Sequence, residues 1–279
     1  MKTLLLFYVG HTWKTETMTN NPSFSSWPIQ NGLLYDYSKN EYPTKLYSWN
    51  KTAITFSATA STLITKNMPL VVTYYGYVFK GDSKLSLINN TYNLKTGMYF
   101  SCTEKFTISG GSGILIKRIG EKSMFMIGGP IEREGRLNYI DGCTDSLLVP
   151  PTLLGNACLN HLHFPSGINQ TMHTHPSMRV GIVARGSGNC ITPFGNKKLY
   201  TGQVFVIHQE TGKKTIGIDG KNYLNGSHCF QTFDKEMDVI AYHPDSDFGP
   251  EHEEHPMINM TIVDGISAKH IDKIRTKVK

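Results

Sequence analysis

The sequence contains no apolar segment that approaches the roughly 20 residues of a membrane-spanning helix. It also lacks a CxxC pair, and its five cysteines are an odd number scattered along the chain. These absences argue against a membrane span and a disulfide framework, and they favour free thiols in a reducing compartment. The opening MKTLLLFYVG has a short apolar run with no small-residue cleavage site after it. We therefore expect a cytoplasmic protein.

Strong charge of one sign is missing from most of the chain. The formal net charge is +6, and the segment AKHIDKIRTKVK carries +4 of it through five basic residues and one Asp. The near-neutral remainder argues against a nucleic-acid-binding surface. We expect residues 266–279 to form a solvated basic tail, and we expect neither a nucleic-acid nor a membrane partner.

The composition, with 26 Gly and 13 Pro, is typical of a turn-rich β protein. From Thr52 onward, short runs rich in β-branched and aromatic residues alternate with Gly and Asn/Asp turns, as in LVVTYYGYVF and GILIKRI. These runs predict an all-β fold. Residues 1–50 show no sustained period, and we expect them to form an irregular arm packed over a barrel.

An internal repeat relates the two halves of the chain. Three glycines recur 105 positions later, namely Gly76, Gly81 and Gly97 as Gly181, Gly186 and Gly202. A constant offset between glycines that flank apolar runs predicts two copies of one small β-barrel. We expect the barrels at residues 51–150 and 151–265, with a linker near 130–155 where Pro150 and Pro151 lie.

A pair of histidines, His173 and His175, lies in the stretch GINQTMHTHPSMRVGIVARG at residues 167–186. The stretch has β-branched flanks and no 3.6-residue apolar period, which predicts a strand. In a strand, residues i and i+2 point to the same face and can share a metal ion. Arg179 has the same parity, so an unbroken strand directs it into the same cavity, whereas a break at Pro176 leaves it on the surface.

The spacing around these histidines resembles the first signature of the cupin superfamily. That signature reads Gly, five residues, His-x-His, three or four residues, Glu, six residues, Gly. It is matched here by Gly167, His173, His175 and Gly186, but Arg179 replaces the Glu. With its internal repeat the chain looks like a bicupin, made of two double-stranded β-helix (jelly-roll) barrels. The resemblance implies one divalent metal ion, Fe, Mn, Ni or Zn, in the C-terminal barrel.

The second cupin signature is only partly present after Gly202. His208 stands where the family has a proline, and Lys213 stands where it has the third histidine. An apparent insertion is followed by His228 and an apolar strand, much as a strand follows the third ligand in cupins. The resemblance therefore implies the ligand set His173, His175 and His228, with His208 as the competing candidate.

The N-terminal copy has no comparable ligands. The positions 105 residues before His173, His175 and Arg179 hold Met68, Leu70 and Tyr74. None of these is a good ligand for a hard or borderline ion. We therefore expect the first barrel to be metal-free and structural.

Two further polar groups have alternative interpretations. His161 and His163 form a second H-x-H, which we interpret as pocket lining or hydrogen-bonding groups, with metal ligation as the alternative. An acidic and histidine-rich cluster follows the last strand, and we interpret it as a solvated loop, with a separate metal site as the alternative. Its members are Asp245, Asp247, Glu251, His252, Glu253, Glu254 and His255.

Three neutral imidazoles can hold a divalent ion and leave coordination positions open. A buried guanidinium beside that ion requires negative charge, and Arg binds carboxylate or phosphate through two parallel hydrogen bonds. We therefore expect a metal-dependent enzyme of the oxygenase or isomerase/lyase type acting on a small anionic molecule, with Arg179 and Tyr242 as catalytic residues. The alternative is a non-catalytic small-molecule-binding bicupin. A homodimer is the candidate assembly, and Gln209, Thr174 and Gln231 are the candidates for orienting the ligating imidazoles.

Overall fold

The computed structural model describes residues 21–57, 59–65, 68–245, 262–263, 266–267 and 270, with the backbone alone for 59–65 and 68–70. Within these ranges the chain is built from β-strands, together with a 3₁₀ turn at Ile140–Gly142. No helix in this part of the chain has the length and apolar character needed to cross a membrane. The prediction of an all-β fold is confirmed.

The strands fall into two large sheets and two short hairpins. Those before the middle of the chain are β1 (Phe24–Trp27), β2 (Gly32–Tyr37), β3 (Thr44–Asn50), β4 (Ile54–Phe56), β5 (Thr59–Thr65), β6 (Met68–Ser86), β7 (Thr91–Leu94), β8 (Tyr99–Cys102), β9 (Phe106–Ile119) and β10 (Met126–Gly128). Those after it are β11 (Leu137–Asn138), β12 (Thr144–Val149), β13 (Cys158–Phe164), β14 (Arg179–Thr192), β15 (Gly195–Tyr200), β16 (Val204–Ile207), β17 (Lys214–Ile216), β18 (Asn222–Leu224), β19 (Cys229–Gln231), β20 (Met237–His243), β21 (Ile262–Val263) and β22 (Ile266–Ser267).

Each large sheet has nine strands and corresponds to one barrel. The first has the order β10-β8-β6-β9-β3-β2, with β4 on β9 and with β5 and β7 on β6. The second has the order β1-β16-β14-β20-β13-β12-β11, with β15 and β19 on β14. The strand pairs β17-β18 and β21-β22 are separate hairpins.

The two barrels repeat the same close packing contact at an offset of 105 residues. Gly76 of β6 lies opposite Phe100 of β8, and Gly181 of β14 lies opposite Phe205 of β16. A Cβ atom added to Gly76 would lie 2.2 Å from the Phe100 ring, and one added to Gly181 would lie 2.3 Å from the Phe205 ring. Glycine is therefore required at both positions for the same steric reason. The prediction of two barrels that repeat at this offset is confirmed.

The expectation of an irregular arm is wrong for residues 24–50. Strand β1 pairs with β16 of the second barrel, whereas β2 and β3 lie in the first sheet, where β3 pairs with β9. The side chains of β3 do alternate between more and less buried positions, but the strands here are short and separated by turns. That interruption hides the two-residue period. The N-terminal segment therefore contributes strands to both barrels.

The boundary between the barrels also differs from the expected residue 150. Strand β10 is the last strand of the first sheet, whereas β11 and β12 pair within the second sheet. The connection is therefore residues 129–136. The prolines Pro150 and Pro151 instead lie in the turn between β12 and β13, inside the second barrel.

The interior of the first barrel is filled by aromatic rings. A buried cluster contains Trp49, Phe56, Tyr74, Phe100 and Phe106, with ring-centroid distances of 5.2 to 5.9 Å among its contacting rings. Burying rings of this size contributes much of a core's stability. Tyr74, the counterpart of Arg179, is one of these packing residues. The side chains of Met68 and Leu70 lie outside the described ones.

The barrels pack against each other through a shared apolar cluster. It includes Tyr75 and Tyr77 from the first barrel, and Ile182, Ile240 and Tyr242 from the second. The rings of Tyr75 and Tyr242 lie 5.3 Å apart between centroids. All five cysteines are buried free thiols, as the absence of CxxC spacing indicated.

Candidate metal centre

Three histidines meet in the second barrel. The ring centroids of His173 and His228 are 4.5 Å apart, and those of His175 lie 5.0 and 5.2 Å from them. The nitrogen atoms that the three residues offer all lie within 4.8 Å of one another. This is the group of metal-ligand side chains that the described residues bring together, and its members are the three that the cupin resemblance implied.

A backbone bridge sets the directions of His173 and His228. The N–H of His173 donates to the carbonyl of His228 at 2.9 Å, and the N–H of His228 donates to that of His173 at 3.0 Å. Residues paired in this way in antiparallel chains project their side chains to the same side. The bridge thus brings together two histidines that are far apart in the sequence. The insertion before His228 forms the β17-β18 hairpin, which leaves this pairing intact.

The prediction of a continuous strand through the H-x-H segment is wrong. His173 has an isolated bridge, His175 lies outside any strand, and the next strand begins only at Arg179. Pro176 interrupts the segment because proline lacks the N–H that a ladder needs. The bridge to His228 positions His173, whereas the carbonyl of His175 accepts from the N–H of Glu210 at 2.8 Å. A two-residue strand period therefore does not bring the two histidines together.

Backbone carbonyls orient two of the three imidazoles. The Nδ1 of His173 lies 2.7 Å from the Thr171 carbonyl oxygen, and the Nδ1 of His228 lies 2.9 Å from the Gly226 carbonyl oxygen. A carbonyl only accepts, so each Nδ1 carries the proton and each Nε2 keeps a free lone pair. Of the expected partners, Thr174 donates to Glu210 instead. Gln209 is near Asn40, and Gln231 lies in β19.

The electrostatics of the site keep the imidazoles of His175 and His228 neutral. Burial, together with the neighbouring His173, lowers the pKa of His228 to about 3. Burial, followed by the positive charge of Arg179, lowers the pKa of His175 well below its usual range. Metal binding requires neutral imidazole, so the site is ready for a cation without losing protons. Three imidazoles, two of them with a fixed tautomer, therefore fit a divalent ion.

Arg179 points into the same cavity, as the inward alternative predicted. It lies on the face of β14 that also carries Gly181, and it is only 7% exposed. Its Nη1 lies 2.7 Å from Oδ1 of Asp245 and also donates to the Ser177 hydroxyl. The protein thus supplies a negative charge for this guanidinium. Its buried Nε has no hydrogen-bond partner among the described residues.

The cavity beside the histidines is small. Its volume is about 30 Å³, room for roughly two water molecules. Its walls are mostly apolar, and they include Leu162, Phe164, Phe205, Ile207, Phe230 and Val239. Such a space admits a ligand of only a few non-hydrogen atoms unless side chains move.

His243 also lines this cavity, and the sequence analysis missed it. It is partly buried, and burial followed by the positive charge of Arg179 lowers its pKa well below the usual range. It shares a face of β20 with Val239 and Ala241, both cavity residues. Side chains alternate between two faces along the apolar segment that follows His228 in the sequence. This alternation could have indicated that His243 shares a face with Val239 and Ala241.

Tyr242, expected to be catalytic, faces the opposite way. It is fully buried in the cluster between the barrels and packs against Tyr75. Adjacent residues of a strand point to opposite faces, so a cavity that takes His243 excludes Tyr242. We therefore leave Tyr242 out of the site.

The competing histidines have other partners. His208 lies between Ser25, 2.9 Å from its Nε2, and the Tyr37 hydroxyl at its Nδ1. His161 and His163 both hydrogen-bond to Asp238, at 2.7 and 3.0 Å. The hydrogen-bonding interpretation of this second H-x-H therefore fits the structure. Of the acidic cluster only Asp245 is described, and its members from Asp247 to His255 lie outside the described residues.

Comparison with known proteins supports the architecture. No family model and no curated protein matches the chain. Solved structures do match, among them an IolB-like protein from Salmonella typhimurium LT2, with a TM-score of 0.51, 8% identity, and coverage of 79% of this chain and 91% of that one. The putative glyoxylate induced protein from Pseudomonas aeruginosa has a TM-score of 0.50 and 10% identity, with coverage of 82% of this chain and 83% of that one. A cupin 2 conserved barrel domain protein from Leptotrichia buccalis has a TM-score of 0.48 and 15% identity, with coverage of 78% of this chain and 88% of that one.

Identity at this level shows the fold alone. Two jelly-roll barrels with a repeated glycine-phenylalanine contact and a three-histidine cluster in the second are the features of the cupin fold in its two-barrel form. The chain is a bicupin in fold.

Proposed function

We propose that the second barrel binds one divalent metal ion through His173, His175 and His228 and that the protein is a metal-dependent enzyme acting on a small molecule. The observation that carries the proposal is the convergence of three imidazoles on one cavity. Iron, nickel and zinc suit imidazole ligands, and manganese stays a candidate through the cupin resemblance. A bound ion of this kind would supply Lewis-acid or redox chemistry.

The substrate we propose is a small anion, with a carboxylate as the preferred group. Arg179 lines the cavity with an unpartnered Nε, and a guanidinium recognises carboxylate or phosphate geometry. The cavity's volume of about 30 Å³ favours the smallest such anions. Arg179 would hold the anion, while the apolar walls around it would exclude water. Oxygenase and isomerase or lyase reactions are the classes that we consider.

A non-catalytic binding protein is the second candidate. The observation that favours it is the Arg179–Asp245 ion pair, because an arginine that is already neutralised has less need of an anionic substrate. Turnover separates the two candidates, since a binding protein would hold the metal and the anion without consuming the anion or dioxygen. For the compartment we keep the cytoplasm as our proposal, because all five cysteines are free thiols. A homodimer stays a prediction.

Metal analysis of the purified protein tests the proposal. We expect about one equivalent of a divalent ion per chain, and loss of that ion when His173 and His175 are both replaced by alanine. His208→Gln is the matched control, because this partly buried histidine lies outside the cluster and should leave the metal content unchanged. Metal retained by the double variant, or lost only in the His208 variant, would show that the site is wrongly assigned. Oxygen uptake and consumption of acetate, formate and oxalate by the loaded protein then distinguish enzyme from binder.

A further inference from the structure

The hairpin at residues 213–225 stands apart from the large sheet of the second barrel. Its strands β17 and β18 pair with each other, with Lys214 opposite Leu224 and Ile216 opposite Asn222. It is the insertion that interrupts the second cupin signature, and the cavity beside the histidines is lined by other residues. The side chains of the hairpin therefore need an explanation other than the metal centre.

Two large aliphatic side chains lie on the outward face of the hairpin. Ile216 is 67% exposed and Ile218 is 79% exposed, whereas Gly217 between them is buried. The chain thus alternates here between outward and inward positions, as extended chains do, and Lys214 lies on the outward face as well. Exposed apolar residues that are scattered singly are normal, but two together at the end of a hairpin form an apolar tip.

The inward face of the hairpin is fixed to the barrel. The N–H of Ile218 donates to the carbonyl of Pro193, in the turn between β14 and β15, at 2.9 Å. Gly217 is pressed against the same carbonyl, since a Cβ atom added there would lie 2.9 Å from its oxygen. The N–H of Asn225 donates to the carbonyl of Lys213 at 2.9 Å and closes the hairpin. The exposure of the two isoleucines therefore follows from how the hairpin is anchored.

Exposed lysines accompany the apolar tip. Three belong to the hairpin and two to the neighbouring strand β15, namely Lys213, Lys214, Lys221, Lys197 and Lys198. The acidic residue of the hairpin, Asp219, accepts from the N–H of Lys221 and from the Tyr223 hydroxyl. Nζ of Lys221 lies 3.8 Å from the same carboxylate. Lys221 thus balances Asp219, and the other lysines leave this surface positively charged.

An apolar tip with lysines behind it matches an anionic lipid bilayer. Lys214 lies about 7 Å behind Ile216 along the strand. Apolar side chains of interfacial segments reach about 5–10 Å into the boundary between headgroups and acyl chains. The ammonium groups can therefore stay among the lipid headgroups while the isoleucines enter the acyl boundary. A protruding hairpin also presents a tip rather than a groove, which suits a bilayer better than an extended acidic peptide.

We propose that the hairpin at residues 213–225 docks the protein onto an anionic membrane surface, with Ile216 and Ile218 in the acyl boundary and the lysines on the headgroups. The expectation of no membrane partner came from the absence of a spanning segment, which peripheral docking does not need. Anionic lipids are concentrated in the cytoplasmic leaflet, in keeping with the compartment proposed above. The inference does not depend on the metal centre.

Cosedimentation of the full chain with lipid vesicles tests the proposal. We expect binding to vesicles made of equal parts of phosphatidylcholine and phosphatidylserine. Binding to vesicles of phosphatidylcholine alone should be about tenfold weaker or less, because the attraction of the lysines is lost. Added salt should weaken binding to the mixed vesicles, since it screens exposed charges.

Replacing the apolar tip tests the part of the isoleucines. Ile216→Ser/Ile218→Ser should weaken binding to the mixed vesicles about tenfold or more, because the side chains that enter the acyl boundary are lost. Ile88→Ser is the matched control, since Ile88 in the turn between β6 and β7 is also 79% exposed but belongs to the first barrel. We expect this control to bind as the parent does. Metal content should be the same in all three proteins.

Replacing the lysines tests the part of the charge. Lys213→Gln/Lys214→Gln should weaken binding to the mixed vesicles about tenfold or more and leave the weak binding to phosphatidylcholine unchanged. Lys80→Gln/Lys84→Gln is the matched control, because it removes two exposed lysines of β6 in the first barrel. Equal loss of binding in the two proteins would mean that net charge alone drives association, which would overturn the assignment to the hairpin.

Polyglutamate distinguishes a bilayer from an acidic protein partner, because it carries negative charge without an apolar phase. Binding to polyglutamate but not to the mixed vesicles would assign the hairpin to an acidic protein and overturn the proposal. Unchanged vesicle binding in the Ile216→Ser/Ile218→Ser protein would overturn it too. The His173→Ala/His175→Ala protein should bind vesicles as the parent does. Metal content and vesicle binding are separate measurements, so failure of the metal assignment cannot be confused with failure of this one.

Discussion

Nη1 of Arg179 lies 2.7 Å from Oδ1 of Asp245 in the wall of the three-histidine cavity. The residue that departs from the cupin signature is therefore neutralised by a carboxylate from beyond strand β20. Removing one partner of a buried pair leaves the other charge uncompensated, which is far costlier than lacking both. An incoming anion must compete with Asp245 for the guanidinium. The ion pair thus sets how strongly an anion can bind here.

Anion affinity should follow the state of this ion pair. We expect Asp245→Asn to tighten acetate binding about tenfold or more, since it leaves Arg179 needing a negative charge. Arg179→Ala should weaken acetate binding by about 1.5–3 kcal/mol, the scale of a hydrogen bond to a charged group. Calorimetric titration with acetate measures both. The double variant Asp245→Asn/Arg179→Ala lacks both members of the ion pair, so its acetate affinity is the reference for the two single variants. If acetate affinity is the same in all four proteins, Arg179 does not bind the anion.

Arg179→Glu should move metal affinity and anion affinity in opposite directions. The new carboxylate stands at the position of the usual fourth ligand in the cupin signature, so we expect tighter metal binding and weaker acetate binding. Combining it with Asp245→Asn avoids burying two carboxylates side by side. Competition with a chelator measures the metal affinity. Arg179→Gln in the same background is the control, because it removes the positive charge without adding a ligand. Equal metal affinity in the Glu and Gln proteins would contradict the expectation.

The repeat of glycines could be predicted from the sequence, because a close contact with a phenylalanine ring requires glycine itself at both positions. No other residue fits against Phe100 or Phe205, so Gly76 and Gly181 mark equivalent positions directly. The pairing of Arg179 with Asp245 has no such signal. These residues are 66 positions apart, and only the end of strand β20 brings them together. A sequence pattern can show that a buried charge needs a partner, but it does not show which residue reaches it.

The three histidines do lie together, but for a reason that differs in part from the expected one. The cupin spacing identified His173 and His175, and the apolar strand after an apparent insertion indicated His228, although a continuous strand does not carry the first two. The reason is that the family pattern records which residues meet, whereas strand parity concerns only neighbours in one element. The same limit affected Tyr242, whose orientation depends on the parity of β20 relative to a cavity that the sequence alone does not locate.

Alanine at either repeated glycine should destabilise the protein to a similar degree. Both added methyl groups would overlap a phenylalanine ring, and we expect each to lower the free energy of unfolding by about 1–3 kcal/mol. Denaturant unfolding measures this. Adding Phe100→Leu to Gly76→Ala, and Phe205→Leu to Gly181→Ala, should restore much of the loss, with the leucine variants alone as controls. Only the Gly181 variant should alter metal affinity, since Phe205 lines the metal cavity. Loss of metal from the Gly76 variant alone would contradict this division of roles.

The buried carboxyl of Asp145 should give the protein a characteristic dependence on pH. Burial raises the pKa of this group to about 6, although its Oδ2 accepts from Asn160 at 2.8 Å. A carboxyl whose folded pKa exceeds its unfolded pKa binds more protons in the folded state, so it costs stability progressively as the pH rises from about 4 to about 6. The cost is then constant above that range. We expect Asp145→Asn to match the parent near pH 4 and to be more stable by about 1–3 kcal/mol at pH 7.

Denaturant unfolding of parent and variant across this pH range measures the difference, which should rise between pH 4 and 6 and then stay level. Asp36→Asn is the control of opposite sign. Burial by itself would raise the pKa of Asp36, but hydrogen bonds from Lys45 and Ser38 lower it to about 2. That carboxylate therefore stabilises the protein above its unfolded pKa, so its replacement should cost stability at pH 7 rather than add it. A flat difference for Asp145→Asn between pH 4 and 7 would mean that Asp145 stays ionised in the folded protein, with its charge balanced by a group other than Asn160.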